Sequence, residues 1–169
     1  MIIMSLGITA NKEKNGALLA YIAKNIPDIN LRKLLKVVYL IDEKFMELRG
    51  FPLTWFDYYA WAKGPVAPEV YEIKNGAFNQ YVSCHKNEAG KNIINSVLPS
   101  KYQVLKQMDV FSPYELGIID DIMYKYGNMS ADELSDLTHK EDSLWSQIVG
   151  QHNITFVDEM KPLGTGGGL

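Results

Sequence analysis

The residues best suited to chemistry lie in one short segment, Thr138-His139-Lys140-Glu141-Asp142. A histidine beside carboxylates can act as a general base or as a metal ligand. The spacing, however, matches no established nucleophile motif and no zinc motif such as His-Glu-x-x-His. A histidine at a helix end can instead bond the free carbonyls there and oppose the helix dipole. We favour this structural role and predict no catalytic residue, while a hydrolase centred on His139, Glu141 and Asp142 stays as an alternative.

The remaining chemistry-bearing residues form no recognisable cofactor or metal motif. Cys84 is the only cysteine, which excludes an internal disulfide and a thiolate-based zinc site. Cys84 and His85 are neighbours on a predicted strand, so their side chains point to opposite faces and cannot readily share a metal. The sequence has no glycine-rich loop with phosphate-binding spacing and no Gly-x-Ser-x-Gly. We therefore predict no metal and no cofactor.

Length and composition indicate one globular domain. The chain has 169 residues, of which 47% are hydrophobic and 22% charged, and this is close to the average for globular proteins. The net charge of −3 provides no overall basic field for nucleic acid. Neither a signal peptide nor the ~20 apolar residues of a membrane span is recognisable. We expect a cytoplasmic protein with a single domain over residues 1–162 and a flexible glycine-rich tail over 163–169.

The elements that must position these residues are mostly helices. Periodicity and capping signals predict helices over 11–26, from Asp28 or Asn30 to Arg49, over 68–75, after the Ser112 and Ser130 capping boxes, and over 144–149. Strands are predicted over 55–62, 81–85 and 92–98, and they can form one small antiparallel sheet. The expected fold class is therefore α+β, a mostly helical single domain with a small antiparallel β-sheet.

The helix that ends at Arg49 is predicted to be central. An apolar stripe runs along it, and Val37 and Leu40 widen this stripe enough for contacts on two sides. Its charged residues are predicted to lie mostly away from the stripe: Arg32, Lys33, Lys36, Glu43, Lys44 and Glu47. Gly50 is expected to terminate the helix.

A sharp change of direction is predicted at Gly64-Pro65, directly after the aromatic segment 55–62. Gly64 can adopt backbone angles closed to other residues, and proline fixes φ. Pro68 is expected at the first position of the following helix. Such a rigid turn can be a recognition surface that presents Lys63 and Glu69 beside aromatic side chains. The alternative is a packing turn that only joins strand to helix.

Three blocks of the sequence resemble, in this order, the Panacea (SocA-like) domain, which is also described as a phage-associated family. They are 34–42 with 49–54, then 59–71, and then 134–142 with Trp145 just beyond. The resemblance implies an antitoxin, or an adaptor that presents a toxin to a protease, and therefore a binding function. The implied partner is a cognate toxin encoded nearby. We assign partner binding to residues of the second and third blocks: Trp61, Lys63, Gly64, Pro65, Val66, Pro68, Glu69, Tyr71, His139 and Trp145.

A phage-related DNA-binding regulator is a further alternative. Gly127 separates two predicted helices, as in a helix-turn-helix motif whose recognition helix would cover 131–139. That helix begins with Asp132 and Glu133 and adds Asp136, so its first turn would bring carboxylates to the DNA phosphates. Direct nucleic-acid binding through this element is therefore disfavoured.

Overall fold

The computed structural model describes residues 10–98, 108–140, 143 and 146. The helices of this part are α1 (Lys12–Asn25), α2 (Leu31–Arg49), α3 (Pro68–Tyr71), α4 (Pro113–Tyr126) and α5 (Ala131–Thr138). Short 3-10 helices cover Glu72–Asn75 and Met108–Val110. The strands are β1 (Tyr59–Trp61), β2 (Gly64–Val66), β3 (Val82–Lys86) and β4 (Asn92–Ser96). The predicted α+β class is confirmed.

Helix α2 is the centre of the fold, as its widened apolar stripe predicts. Val37 and Leu40 are both buried, and the helix contacts α1, α4, α5 and β2. Asn30 caps its start by accepting a hydrogen bond from the Lys33 amide at 2.9 Å. Gly50, at φ 78°, ends it in the left-handed conformation. Both helix limits were predictable because both caps are local.

The predicted single sheet of three strands is wrong. The first strand pairs with the chain that directly follows it, so that β1 and β2 form one antiparallel hairpin with Tyr59 opposite Val66. Strands β3 and β4 form a second, separate hairpin. The second hairpin is tied to the start of α2, where the Ile94 amide donates to the Ile29 carbonyl at 2.9 Å.

The aromatic segment is a strand only over Tyr59–Trp61. Trp55 adopts a positive φ of 58°, which breaks the extended conformation. The buried carboxylate of Asp42 on α2 holds this loop by accepting hydrogen bonds from the Leu53 amide at 2.8 Å, the Thr54 amide at 2.9 Å and the Tyr58 hydroxyl at 2.6 Å. A tertiary contact therefore overrides the local preference for a strand.

The turn between β1 and β2 lies at residues 62–63, two residues before the predicted position at Gly64-Pro65. Gly64 does have the predicted positive φ, at 101°, but it begins β2. Pro65 fits in β2 because a two-stranded sheet leaves one side of each strand without ladder bonds. Pro68 is at the start of α3, as predicted.

The two predicted capping boxes are present at the starts of α4 and α5. The Ser112 amide donates to Glu115 at 2.8 Å, and the Ser130 amide donates to Glu133 at 2.7 Å. Gly127 follows the last residue of α4, as expected. The predicted helix over 144–149 falls almost wholly outside the described residues, and the tail over 163–169 does so completely. Within the described part, every helix is too short or too polar to cross a bilayer.

Candidate functional site

The three sequence blocks meet at one point in the fold, beneath the β1–β2 hairpin. Lys36, from the first block, donates a hydrogen bond from Nζ to the Pro65 carbonyl of the second block at 3.0 Å. A methyl group placed on Gly64 would lie 2.9 Å from the Thr138 hydroxyl of the third block and 3.0 Å from Lys36 Nζ. We call Lys36, Gly64, Pro65 and Thr138 the three-block contact. Its packing leaves room only for glycine at position 64.

Lys36 is 1% exposed, although the sequence pattern predicted it to lie away from the apolar stripe. That prediction is wrong because β2 covers the side of α2 on which Lys36 lies. Burial, and secondarily the positive charge of Arg32, lower the pKa of the Lys36 amine to about 7. Its ammonium and neutral forms are therefore close in free energy at neutral pH.

His139 ties α5 to the same hairpin. As predicted, it ends its helix, and its ring contacts main-chain carbonyls. Nδ1 lies 2.5 Å from the Ser135 oxygen, and Nε2 lies 3.2 Å from the Ala62 oxygen. Carbonyl oxygens only accept hydrogen bonds, so the ring nitrogen that carries the proton donates to one of them, and the tautomer decides which nitrogen this is. This geometry supports the structural role of His139.

The hydrolase alternative gains no support from the residues around His139. Its two other members, Glu141 and Asp142, lie outside the described residues. Across residues 10–98 and 108–140, no cluster of three His, Cys, Asp or Glu side chains is placed to hold a metal ion. Cys84 is partly buried and His85 is exposed.

A cleft of about 980 Å³ opens beside the three-block contact. Four of the predicted binding residues line it, namely Trp61, Lys63, Val66 and Tyr71. Its other walls come from the start of α2, the tip of the β3–β4 hairpin and the junction of α4 with α5. Ligand sites in proteins typically have ~300–1,000 Å³, so this cleft can hold a short segment of another molecule.

The other predicted binding residues lie outside the cleft lining. Gly64 and Pro65 belong to strand β2 of the hairpin and are buried. Pro68 begins α3, and Glu69 is exposed on that helix. Burial, followed by the neighbouring Asp57 carboxylate, raises the pKa of Glu69. His139 follows α5 and contacts the Ala62 carbonyl of the hairpin turn, and Trp145 falls outside the described residues.

Cationic side chains dominate the cleft. Arg32, Lys33, Lys36, Lys63 and Lys91 line it, together with only three carboxylates, Asp28, Asp132 and Glu133. Two of these carboxylates are already engaged. Asp132 pairs with Arg32 at 2.6 Å, and Glu133 accepts the Ser130 amide. Five cationic residues against three carboxylates leave a small positive excess in the lining, although the lowered pKa of Lys36 leaves that amine partly neutral at pH 7 and the whole chain carries a net charge of −3.

An aromatic pair forms the apolar wall of the cleft. The rings of Trp61 and Tyr71 meet edge to face with centroids 5.1 Å apart. The Lys74 ammonium lies 3.9 Å from the centroid of the Tyr71 ring. Trp and Tyr are frequent anchors at protein interfaces because they combine a large apolar area with a polar tip.

The sequence interpretation missed several residues that build this site. The burial of Lys36 was not foreseen, Arg32 and Lys91 were not connected with the hairpin, and Asp42 was not recognised as the anchor of the loop. For Lys36 a signal existed: it interrupts the otherwise apolar run 34–41, a composition typical of a helix buried on several sides. For Lys91 none existed, because its place in the cleft depends on how the second hairpin docks.

Comparison with known proteins agrees with the three blocks. The sequence model of the family described as antitoxin SocA-like, Panacea domain, matches residues 34–146, about two thirds of the chain. No curated protein and no solved structure matches the chain. The matched range contains Lys36, Gly64, Pro65 and Thr138, and hence every member of the three-block contact. The chain belongs to the family of SocA-like antitoxins with a Panacea domain.

Proposed function

We propose that this chain is the antitoxin of a toxin–antitoxin pair and that it neutralises its toxin by binding it directly. Family membership supports a toxin–antitoxin-related role. The observation that carries the finer proposal is the convergence of all three family blocks at a rigid contact beside an open cleft. A preorganised surface loses little conformational entropy on binding, which favours stoichiometric capture of a protein.

The test is co-expression of the chain with the product of each neighbouring gene. The expected result is that one of these products arrests growth by itself, that the chain restores growth, and that the two proteins form a complex after purification. If no neighbouring product is both toxic and bound by the chain, the antitoxin proposal fails.

A second measurement separates neutralisation from adaptor activity. Direct neutralisation leaves the amount of toxin unchanged during rescue, because the toxin is covered rather than destroyed. An adaptor that presents the toxin to a protease would shorten the toxin's half-life, and its rescue would need that protease. We expect a stable toxin level and rescue in protease-deficient cells, and loss of rescue in those cells would assign the chain to the adaptor class.

A further inference from the structure

We propose that the cleft binds an extended, acidic segment of a protein partner, with an apolar side chain of that segment against Trp61 and Tyr71. This inference rests on the proposed antitoxin function and adds to it the binding surface and the chemistry of the partner. Its basis is the charge, the hydrogen-bonding groups and the shape of the cleft.

Charge is the first argument. Lys63 lies in the tight turn of the β1–β2 hairpin, and Lys91 lies at the tip of the β3–β4 hairpin, so the cleft has an exposed lysine on each of two walls. Within the part of the chain that the structure describes, neither ammonium takes part in an ion pair. Carboxylates of a bound segment would supply the missing counter-charges, and complementary charge speeds association and selects the partner.

The mixture of polar groups is the second argument, and it favours a peptide over nucleic acid. The amides of Asn92 and Asn128 line the cleft and can both donate and accept hydrogen bonds. Asp28 adds a further acceptor. A peptide backbone has N–H donors and C=O acceptors that match such a lining, whereas a phosphodiester backbone has only acceptors.

The apolar wall is the third argument. Trp61 and Tyr71 are partly buried, and Val66 and Leu31 join them in the lining. A purely acidic ligand would leave this wall uncovered. A segment in which acidic residues flank one apolar residue satisfies both the rim lysines and the aromatic pair, as anchors in interface pockets commonly do.

The experiment measures binding to the full chain by fluorescence anisotropy. The probe is a short labelled peptide of glutamates around one central leucine, and the matched probe carries glutamine in place of every glutamate. We expect the glutamate peptide to bind and the glutamine peptide to bind at least about tenfold more weakly, with an affinity that falls as salt rises. Equal affinity for the two peptides would overturn the proposal.

Charge reversal locates the site. The Lys63→Glu and Lys91→Glu double variant should weaken binding of the glutamate peptide by about tenfold or more. The control is the Lys24→Glu and Lys125→Glu double variant, which makes the same change of net charge outside the cleft lining and should weaken binding by less than about twofold. Equal losses in the two variants would reduce the effect to net charge and refute the site. Circular dichroism confirms that both variants are folded. The milder double variant, Lys63→Gln with Lys91→Gln, should also weaken peptide binding more than the control variant does.

Two further results would overturn the choice of occupant. If a duplex DNA oligomer binds more tightly than the glutamate peptide and shows the same dependence on Lys63 and Lys91, the cleft is a nucleic-acid site. If Asp158→Asn with Glu159→Gln in the full chain raises peptide affinity severalfold, the chain's own C-terminal segment competes for the cleft. Rescue of growth is scored separately, so rescue without peptide binding refutes this inference alone, and peptide binding without rescue refutes the antitoxin proposal alone.

Discussion

At position 64, both the backbone conformation and the packing of the neighbouring side chains require glycine. Its φ of 101° disfavours any side chain, and its neighbours leave no space for one. Gly64→Ala should therefore lower the free energy of unfolding by at least about 2 kcal/mol, since backbone strain and crowding add. Chemical denaturation measures this loss.

Gly76 provides the matched control for that substitution. Its φ of 97° is nearly the same, yet a methyl group there would meet nothing within 4 Å. Gly76→Ala should cost only the backbone contribution, about 1 kcal/mol. The difference between the two variants isolates the crowding by Lys36 and Thr138, and equal losses would mean that the three-block contact adapts without cost.

At this scale the sequence was informative wherever a residue's own chemistry decides its conformation. The positive φ of Gly64 and the helix-end position of His139 followed from residue type and local pattern. The burial of Lys36 did not follow, because helical periodicity identifies one apolar face but not a second wall such as β2. The partners of Asp42 were hidden for the same reason, since they lie more than ten positions further along the chain.

Among the elements, the loop between α2 and β1 depends on one buried carboxylate. Asp42 accepts hydrogen bonds from two loop amides and from the Tyr58 hydroxyl, and burial raises its pKa despite them. Asp42→Ala should lower the free energy of unfolding by about 3 kcal/mol, because it leaves buried donors without acceptors. Thermal and denaturant unfolding test this value.

Asp42→Asn is the control that separates shape from charge. Its carbonyl oxygen can still accept the amides of Leu53 and Thr54, and its amide group can donate to the Tyr58 hydroxyl oxygen. We expect this variant to lose clearly less stability than Asp42→Ala. If the two variants lose equal stability, the negative charge itself, and not the set of hydrogen bonds, holds the loop.

The contact of α5 with the β1–β2 hairpin depends on His139. Replacing it with alanine removes the bond to the Ala62 carbonyl and should speed amide hydrogen exchange in β1 and β2, with little change in β3 and β4. His85→Ala is the matched control, because His85 contacts Asn95 within the other hairpin. Unchanged exchange in β1 and β2 after His139→Ala would show that packing alone holds the two elements together.

The helices were predictable as elements, and the strands predicted over 81–85 and 92–98 do pair with each other, whereas the pairing of the first strand was not predictable. Helix limits depend on a few adjacent residues, as the capping boxes at Ser112 and Ser130 and the C-terminal glycine Gly50 show. Strand pairing instead depends on which other segment of the chain lies beside each strand in the folded protein. The segment 55–62 looked like one long strand because aromatic residues favour strands, but Asp42 and the positive φ of Trp55 shorten it to three residues.

For the molecule as a whole, Lys36 couples stability to pH. Its folded pKa of about 7 lies below the usual lysine value of 10.5, so between these values the unfolded chain holds the extra proton. Stability therefore rises with pH across this window. Compared with Lys36→Met, the wild-type chain should gain up to about 1.4 kcal/mol of unfolding free energy per pH unit from pH 7 towards 10.

The comparison with Lys36→Met cancels the contribution of the other titrating groups to the pH dependence, because both chains contain them. Lys24→Met is the control for the loss of a lysine at an exposed position. Denaturant titrations at each pH provide the numbers. Parallel curves for the wild type and Lys36→Met would contradict the lowered pKa and place the amine in contact with water.

The overall class, a helical α+β domain, followed from the sequence, whereas the cleft did not. Helix α2 contacts the β1–β2 hairpin through β2 and the other hairpin through β4, and the cleft lies where both hairpins reach its first turn. Such an arrangement depends on how hairpins dock against a helix, and local patterns carry no information about docking. The family resemblance identified the residues of the three-block contact but not their common location.

The exposed lysines at the edge of the cleft are separate from the three-block contact. This separation determines where substitutions can accumulate without loss of the fold. Exposed residues such as Lys63 and Lys91 tolerate substitution, since surface changes typically alter stability by no more than about 0.5 kcal/mol. Gly64 and Lys36 are enclosed by each other and by Thr138, so replacing one of them disturbs the others. A lineage can therefore exchange the exposed side chains at the edge of the cleft, one at a time, while it keeps the three-block contact that supports them.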